Sequence, residues 1–284
     1  MNYLITGGAG FIGSHLSELL LREQHRVTII DDLSTGSAAN VAHLRANPNF
    51  TCTFASIFDR SLTTQLVGKA NIIIHLAAAV GVKLVVQSPV HTIETNILGS
   101  ELILKLAANE GKKVMLASTS EIYGKSSKVP FCEDDDMVFG PSYGDGTQRR
   151  CFSYLSDIVT AIYRLSQEAG AVGEIFNLGS DRETSINELA ELVRAATSSR
   201  SKIVYLPYSE VYGEGFEDMQ RRIPSLEKAA RMIGYRSTLE IQEIVEKVVS
   251  YMSRTPEASE SLFMGPLDAT FPPSLSGPAI VSDF

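Results

Sequence analysis

Gly7, Gly8, Gly10 and Gly13 crowd into one short stretch, and a carboxylate, Asp31, follows about 20 residues later. Clustered glycines let a chain turn sharply, bring its N–H groups close to a pyrophosphate, and pack a following helix tightly on the preceding strand. The N-terminus of such a helix adds aligned N–H dipoles that favour phosphate. A carboxylate at this distance accepts hydrogen bonds from an adenosine ribose and repels a 2′-phosphate. The chemistry implied is dinucleotide binding, with NAD preferred over NADP.

The elements needed to position these residues are legible around them. Tyr3-Leu4-Ile5-Thr6 is a short β-rich run that stops at Gly7. Leu16, Leu19, Leu20 and Leu21 then recur at helical spacing, and Val27-Thr28-Ile29-Ile30 forms a second apolar run ending on Asp31. Phe50 to Phe54 is a third strand candidate, and Ile72-Ile73-Ile74-His75-Leu76 reads as a parallel strand buried on both faces. A helix is expected from Thr95 to Asn109, followed by a buried strand at Val114 to Ala117. This alternation predicts an α/β fold: a doubly wound, Rossmann-type parallel sheet with its ligand at the carboxyl ends of the strands, joined to a small C-terminal substrate-binding region. Farther on, Asp157 to Leu165 reads as helix and Glu174 to Leu178 as strand. Ser185 and Glu188 form a capping box ahead of Leu189, Leu192 and Val193, and a last helix spans Leu239 to Met252.

The 284 residues suffice for one large α/β domain, or one with a smaller companion. The formal net charge of −8 argues against nonspecific nucleic-acid binding. No apolar run reaches the roughly 18 residues of a membrane span, and no basic stretch precedes the first strand, so neither a membrane anchor nor a signal peptide is expected. Three widely spaced cysteines suggest a reduced, cytoplasmic protein, and the five histidines have no metal-ligand spacing.

Several motifs resemble the extended short-chain dehydrogenase/reductase family, specifically its nucleotide-sugar epimerases, dehydratases and decarboxylases. Thr6 to Gly13 resembles the cofactor loop, with Gly7, Gly10, Phe11, Ile12 and Gly13 at the cofactor. Asp31-Asp32-Leu33-Ser34-Thr35-Gly36 is similar to the adenosine-side loop, and His75-Leu76-Ala77-Ala78 to the stretch beneath the nicotinamide ribose. Thr95-Asn96-Ile97-Leu98-Gly99 matches the T-N-x-x-G pattern. Ala117 to Gly124 resembles the strand end that carries a catalytic Ser or Thr. The resemblance therefore implies roles for Ser118 and Asn96 at the cofactor, and for Thr119 and Glu121 in catalysis. Gly144 to Arg150, and Asp218 with Arg221-Arg222-x-Pro224, are similar to stretches that contact the nucleotide diphosphate, which implies a UDP-sugar partner held by Arg150, Arg222 and Asp218. Bound NAD, a transient 4-keto intermediate and a homodimer are the further implications. On this reading residues 1–141 are the NAD-binding domain, cut short before 142. Residues 142–252 hold the rest of the fold and the nucleotide-sugar region, and 253–284 form a disordered tail.

Bland readings stand beside these. Ser118, Thr119 and Ser120 also read as strand-end turn chemistry. His75 reads as a core histidine, and Lys83 as either a phosphate contact or a solvated lysine. Arg150 and Arg222 could form surface ion pairs, and Glu133 to Asp136 a solvated acidic turn.

The family's base is a tyrosine with a lysine four residues later, which lowers its pKa. None of the ten tyrosines here has a lysine at that offset: Tyr123 meets Ser127, Tyr143 meets Thr147 and Tyr154 meets Ile158. Lys125 and Lys128 stand at the wrong offsets from Tyr123. Pro141-Ser142-Tyr143 joins directly two stretches that the resemblance expects several dozen residues apart. A deletion product, a binding protein without turnover, or a protein carrying a further segment here would each account for this. The same gap should uncover Leu102 and Leu106 and leave the sheet with an unpaired edge.

Overall fold

The structure is a computed structural model that describes residues 1–124, 126, 128–135, 148–203, 205 and 221–254. In chain order it forms β1 (Asn2–Thr6), α1 (Phe11–Arg22), β2 (Arg26–Asp31), β3 (Phe50–Phe54), α2 (Arg60–Lys69), β4 (Ile72–His75), α3 (Val82–Gln87), α4 (Pro89–Ile93), α5 (Gly99–Asn109) and β5 (Lys113–Leu116). There follow β6 (Arg149–Cys151), α6 (Leu155–Gln167), β7 (Glu183–Ser185), α7 (Ile186–Ala196), β8 (Arg221–Arg222), α8 (Glu227–Ile233) and α9 (Ile241–Arg254).

The chain divides into two units, the first made of residues 1–122, 155–176 and 228–235. Its sheet has five parallel strands in the order β3-β2-β1-β4-β5. The order reverses between β1 and β4, the place where a doubly wound sheet opens a crevice at its carboxyl edge. Leu4, Ile30, Ile73, Ile103 and Ala107 form a continuous buried core between the sheet and α2 and α5. Helix α6 packs on α1. The near-continuous apolar strands follow from this burial, since a parallel sheet with helices on both faces has no wet side.

The helix expected over 95–109 is present within a longer helical run from 89 to 109, in which a π-helical turn at Glu94–Leu98 joins α4 to α5. Leu106 is buried and Leu102 packs against the core, which corrects the expectation that both lose their cover. The uncovered apolar residues are Val90, Ile93, Ile97, Leu98 and Leu104, of which Val90, Ile93, Ile97 and Leu104 recur at helical spacing along one face. The unpaired edge is present: among the described residues β5 is hydrogen-bonded to β4 alone.

Glu174 to Leu178 is not a strand, which corrects the sequence expectation. Ile175 is 60% exposed, and among the described residues no strand lies beside it. A β-rich pattern reports suitability for a ladder, and without a partner the segment stays irregular.

The second unit comprises residues 123–154, 177–227 and 236–284. Its small sheet has the order β7-β6-β8, antiparallel between β7 and β6 and parallel between β6 and β8. Asn177 is its organiser. It accepts the Tyr123 hydroxyl at 2.8 Å, donates to the Phe131 carbonyl at 3.0 Å, and its N–H reaches Glu133 at 2.8 Å. The acidic turn is therefore not merely solvated: Glu133 is bound to Asn177, and Asp135 accepts Cys132 N–H and pairs with Lys128. The capping box is formed as expected, Ser185 Oγ accepting Glu188 N–H while the Glu188 carboxylate accepts Ser185 N–H. Removing this cap by Ser185→Ala should lower stability by about 1 kcal/mol. A shift of the urea midpoint with an unchanged slope would register it, and an unchanged midpoint would contradict the role assigned to this box.

Candidate functional site

The glycine loop is built by exclusion. Gly7 leaves β1 at φ +69°, and a Cβ there would lie 2.8 Å from the Ala77 nitrogen. At Gly13, a Cβ would lie 2.4 Å from the Gly7 carbonyl oxygen, so α1 can approach the loop only without a side chain. Gly10 caps α1 with no side chain of its own, leaving the positive end of a 12-residue helix directed at the loop. Phe11 and Ile12 occupy the first turn, with Phe11 exposed.

Asp31 is almost fully buried. Its Oδ2 accepts Ala9 N–H at 2.8 Å and its Oδ1 accepts Leu33 N–H at 2.8 Å. The carboxylate thus ties the glycine loop to the end of β2, and each oxygen retains a second lone pair for a ribose hydroxyl. The Ala9 carbonyl in turn accepts Ser37 N–H at 3.1 Å and the Asn40 amide at 2.9 Å. Asn40 carries no spacing signal and sequence reasoning missed it. Asp32 closes a small turn onto Ser34 N–H at 3.0 Å, and Thr35 and Gly36 continue the loop back over Ala9.

The stretch after β4 is pinned from two sides. Leu76 N–H bonds to the Thr6 carbonyl and Ala77 N–H to the Thr6 hydroxyl, while Ala78 lies between these anchors and the next. The Asn96 amide clamps Ala79 through both backbone groups, at 2.7 and 3.0 Å. His75 lies beneath, buried, with Nδ1 2.6 Å from Thr6 Oγ1 and Nε2 3.1 Å from Ser100 Oγ. Both ring nitrogens are therefore engaged, one as donor and the other as acceptor in the neutral ring. Burial lowers the imidazole pKa to about 4, so the ring is neutral near pH 7. The side chain of Lys83 lies outside the described residues.

Ser118 and Thr119 are exposed just past β5. Thr119 Oγ1 accepts Glu121 N–H at 3.3 Å, a strand-end turn with Glu121 opening a short 3₁₀ segment. Tyr123 cannot replace the absent base: it is buried, stacked on Phe131 at 4.7 Å and bonded to Asn177, and burial raises its phenol pKa. Tyr143 and Asp218 lie outside the described residues.

In the second unit Arg150 and Arg222 are register partners on adjacent parallel strands, so both guanidinium stems leave one face of the sheet. Arg149 and Arg221 leave the other face. There Arg221 forms a two-pronged pair with Glu183 at 2.9 and 2.6 Å, and Arg149 reaches Glu183 and Glu188 at 3.8 and 3.6 Å. The Arg221 guanidinium holds the Glu183 carboxyl below its ordinary pKa. Sequence reasoning had no means to separate the two faces. Cys151 beside them is no nucleophile, because burial and the nearby carboxylates push its thiol up to about 12.

The chain is 33% identical to a UDP-N-acetyl-α-D-glucosaminuronate decarboxylase of Bacillus cytotoxicus, over 87% of its own residues and 96% of that protein. It belongs to the NAD-dependent nucleotide-sugar epimerase/dehydratase family of extended short-chain dehydrogenases/reductases. A family model described as GDP-mannose 4,6 dehydratase matches residues 4–142. A UDP-glucuronic acid decarboxylase 1 of Danio rerio is 29% identical over 88% of this chain and 72% of its own length. Among solved structures, the UDP-glucose 4-epimerase of Thermotoga maritima with UDP-glucose superposes with TM-score 0.79 at 25% identity, covering 90% of this chain and all of that one. The alignment with the Bacillus protein spans 313 residues and so exceeds the 284 of this family member, which crosses gaps to follow its relative.

The buried neutral His75 gives this family member a pH signature. Its folded pKa lies below the ordinary 6.5, so the unfolded state binds the extra proton first as pH falls. Stability should be level above about pH 6.5 and decline toward pH 4, by at most about 3 kcal/mol. Denaturant titrations at several pH values, repeated on His75→Gln, check this: the variant should lose that part of the slope, and an identical slope in both would refute the assignment.

Proposed function

We propose that this chain binds NAD at the glycine loop and the diphosphate of a UDP-sugar at Arg150 and Arg222, without turning the sugar over. The observation that carries the reading is the absence of any tyrosine followed at four residues by lysine in the whole sequence. A sugar hydroxyl is a very weak acid, and hydride leaves its carbon readily only as the alkoxide develops, so a positioned base is indispensable to fast turnover. Thr119 and Glu121 follow β5 and Asn96 pins the loop after β4, which supports assigning them the roles that the resemblance implies.

The loop supports the dinucleotide reading: a Cβ at Gly7 would strike the Ala77 nitrogen and one at Gly13 the Gly7 carbonyl oxygen, so only glycine allows the close packing of strand, loop and helix that a pyrophosphate site uses. Gly7, Gly10 and Gly13 with the start of α1 would hold the pyrophosphate, and Asp31 the adenosine ribose. When bound there, NAD supplies a two-electron acceptor for a sugar carbon. Arg150 and Arg222 present planar forks of donors suited to phosphate oxygens. The three cysteines are free thiols, in keeping with a reducing cytoplasmic setting.

A second reading, a deletion product of a working enzyme, is favoured by the lone neighbour of β5 and by the unpaired Glu174 to Leu178 segment. The aligned stretch longer than the chain supports the same loss. The two readings differ in whether ligand binding survives.

NAD should bind more tightly than NADP, and Asp31→Ala should reduce that preference by a few kcal/mol at most, as for one charge-assisted bond pair. Calorimetry with both cofactors decides, and equal affinities for the native chain would remove Asp31 from the role. UDP should bind in a salt-sensitive manner that Arg150→Ala and Arg222→Ala each weaken. NMR of UDP-glucose, UDP-galactose or UDP-glucuronate incubated with the protein and NAD should show no conversion, the missing base costing on the order of 10²–10⁴ in rate. Conversion at ordinary enzymatic rates would overturn the proposal, and no binding of NAD or UDP would leave the deletion product.

A further inference from the structure

The Ala9–Gly10 peptide sits at the bend of the glycine loop, between Gly7 and the first turn of α1. Its N–H donates to the Gly7 carbonyl at 3.2 Å, and its carbonyl points the opposite way, out of the loop. Rotating this peptide by half a turn alters chiefly ψ of Ala9 and φ of Gly10. Gly10 lies at φ −74° and would arrive at a positive φ, which glycine accepts readily. The rotated carbonyl would then face that of Gly7, acceptor against acceptor, where the loop needs a donor.

Two donors from outside the loop oppose that rotation. Ser37 N–H and the Asn40 side-chain amide meet on the Ala9 carbonyl, at 3.1 and 2.9 Å. Both belong to one short 3₁₀ element: Ser37 caps Ala38–Leu44, its Oγ accepting Ala39 N–H at 3.3 Å. Val41 and Leu44 are buried and His43 meets Glu18 of α1 at 2.8 Å, so the element is seated independently of the loop it holds. Asp31 secures the preceding peptide by accepting Ala9 N–H.

We propose that Asn40 is a positioning residue for the cofactor, its amide holding the Ala9–Gly10 peptide in the one orientation that lets the glycine loop receive a pyrophosphate. The inference rests on the reading of that loop as the NAD site and adds a residue to it. Its role differs from that of Asp31. Pyrophosphate is common to NAD and NADP, so Asn40 acts on both alike, whereas Asp31 acts on their ratio.

In the full chain, Asn40→Ala should weaken NAD and NADP alike, by about fivefold as for one hydrogen bond, and leave their ratio at the native value. Without ligand, hydrogen exchange at the Gly10 amide should quicken in this variant while that of Ile5 in β1 stays native. Asn40→Asp separates the hydrogen bond from packing, because the side chain keeps its size. Ionised, it offers the Ala9 carbonyl no donor; protonated, it regains one. Its NAD affinity should therefore not exceed that of Asn40→Ala near neutral pH, and should rise several-fold above it at about pH 4 to 5, where a carboxyl facing a carbonyl takes up its proton. Asp31 and Asp32, His43 and Arg45, and His15 and Glu18 on α1 are present in both variants, so the comparison cancels their titration. Native affinity in Asn40→Ala, an altered NAD-to-NADP ratio, or unchanged exchange at Gly10 overturns the proposal. So does an Asn40→Asp variant that regains no affinity in acid. A native chain that binds neither cofactor removes the NAD site itself and the proposal with it, and the native titration alone tells that outcome from the others.

Discussion

The turn at Gly7 governs the first unit because β1 is its most enclosed strand. With β2 on one side and β4 on the other, the chain has one way out of the sheet: over the crevice at the strand ends. Leaving at a left-handed φ brings the backbone within 3 Å of where a Cβ would strike Ala77, so the loop, the start of α1 and the stretch after β4 are fixed together. Thr6 reinforces the same junction, its carbonyl holding Leu76 and its hydroxyl holding Ala77 and His75. A single junction therefore orders the glycine loop and the floor of the crevice. Asp31 ties the end of β2 to the same loop by holding Ala9. A buried carboxylate that accepts two backbone N–H groups is rigid, and a ribose would meet an acceptor already oriented.

The parts of this architecture that local chemistry determines were legible in the residues. The glycine loop, the apolar parallel strands and the Ser185–Glu188 box each depend on neighbours close in sequence, and each is found where the pattern places it. Glu174 to Leu178 failed because a strand requires a partner that is remote in sequence. Its Ile, Phe and Leu content describes a ladder for which the described residues hold no partner strand. Asn177 lies in that segment, and its amide holds Tyr123 and Phe131 together. An amide's role depends on which carbonyl and hydroxyl the fold delivers to it, and no spacing rule reports that. Asn40 on Ala9 is the same case.

The two arginine pairs show how strand geometry assigns function within one dipeptide. Arg149-Arg150 and Arg221-Arg222 are equivalent in composition, and the register of β6 and β8 sorts them into two faces. One face spends its charge on Glu183 and Glu188 and holds the small sheet to α7. The other carries Arg150 and Arg222 as register partners, the two guanidiniums that the proposed reading assigns to a diphosphate. Ion pairs as exposed as Arg221 with Glu183 contribute little stability individually. Their service is to fix which arginines remain directed toward the opposite face.

Loss of the base and retention of binding are physically separable because they draw on different kinds of interaction. The groups that the proposed reading assigns to phosphate and ribose are backbone N–H groups, one carboxylate and two guanidiniums, all of which exist in the folded chain without a tyrosine. Proton removal in the family rests on a single side chain whose pKa is lowered by a neighbouring cation, and Thr119, His75 and Tyr123 cannot take its part. Thr119 is a neutral hydroxyl already accepting Glu121 N–H, His75 is sealed in the core, and Tyr123 is bound to Asn177. On the proposed reading, a chain with the glycine loop and both arginine strands but without such a pair keeps its binding groups and lacks the reaction, because none of those groups needs a lowered pKa to hold a phosphate.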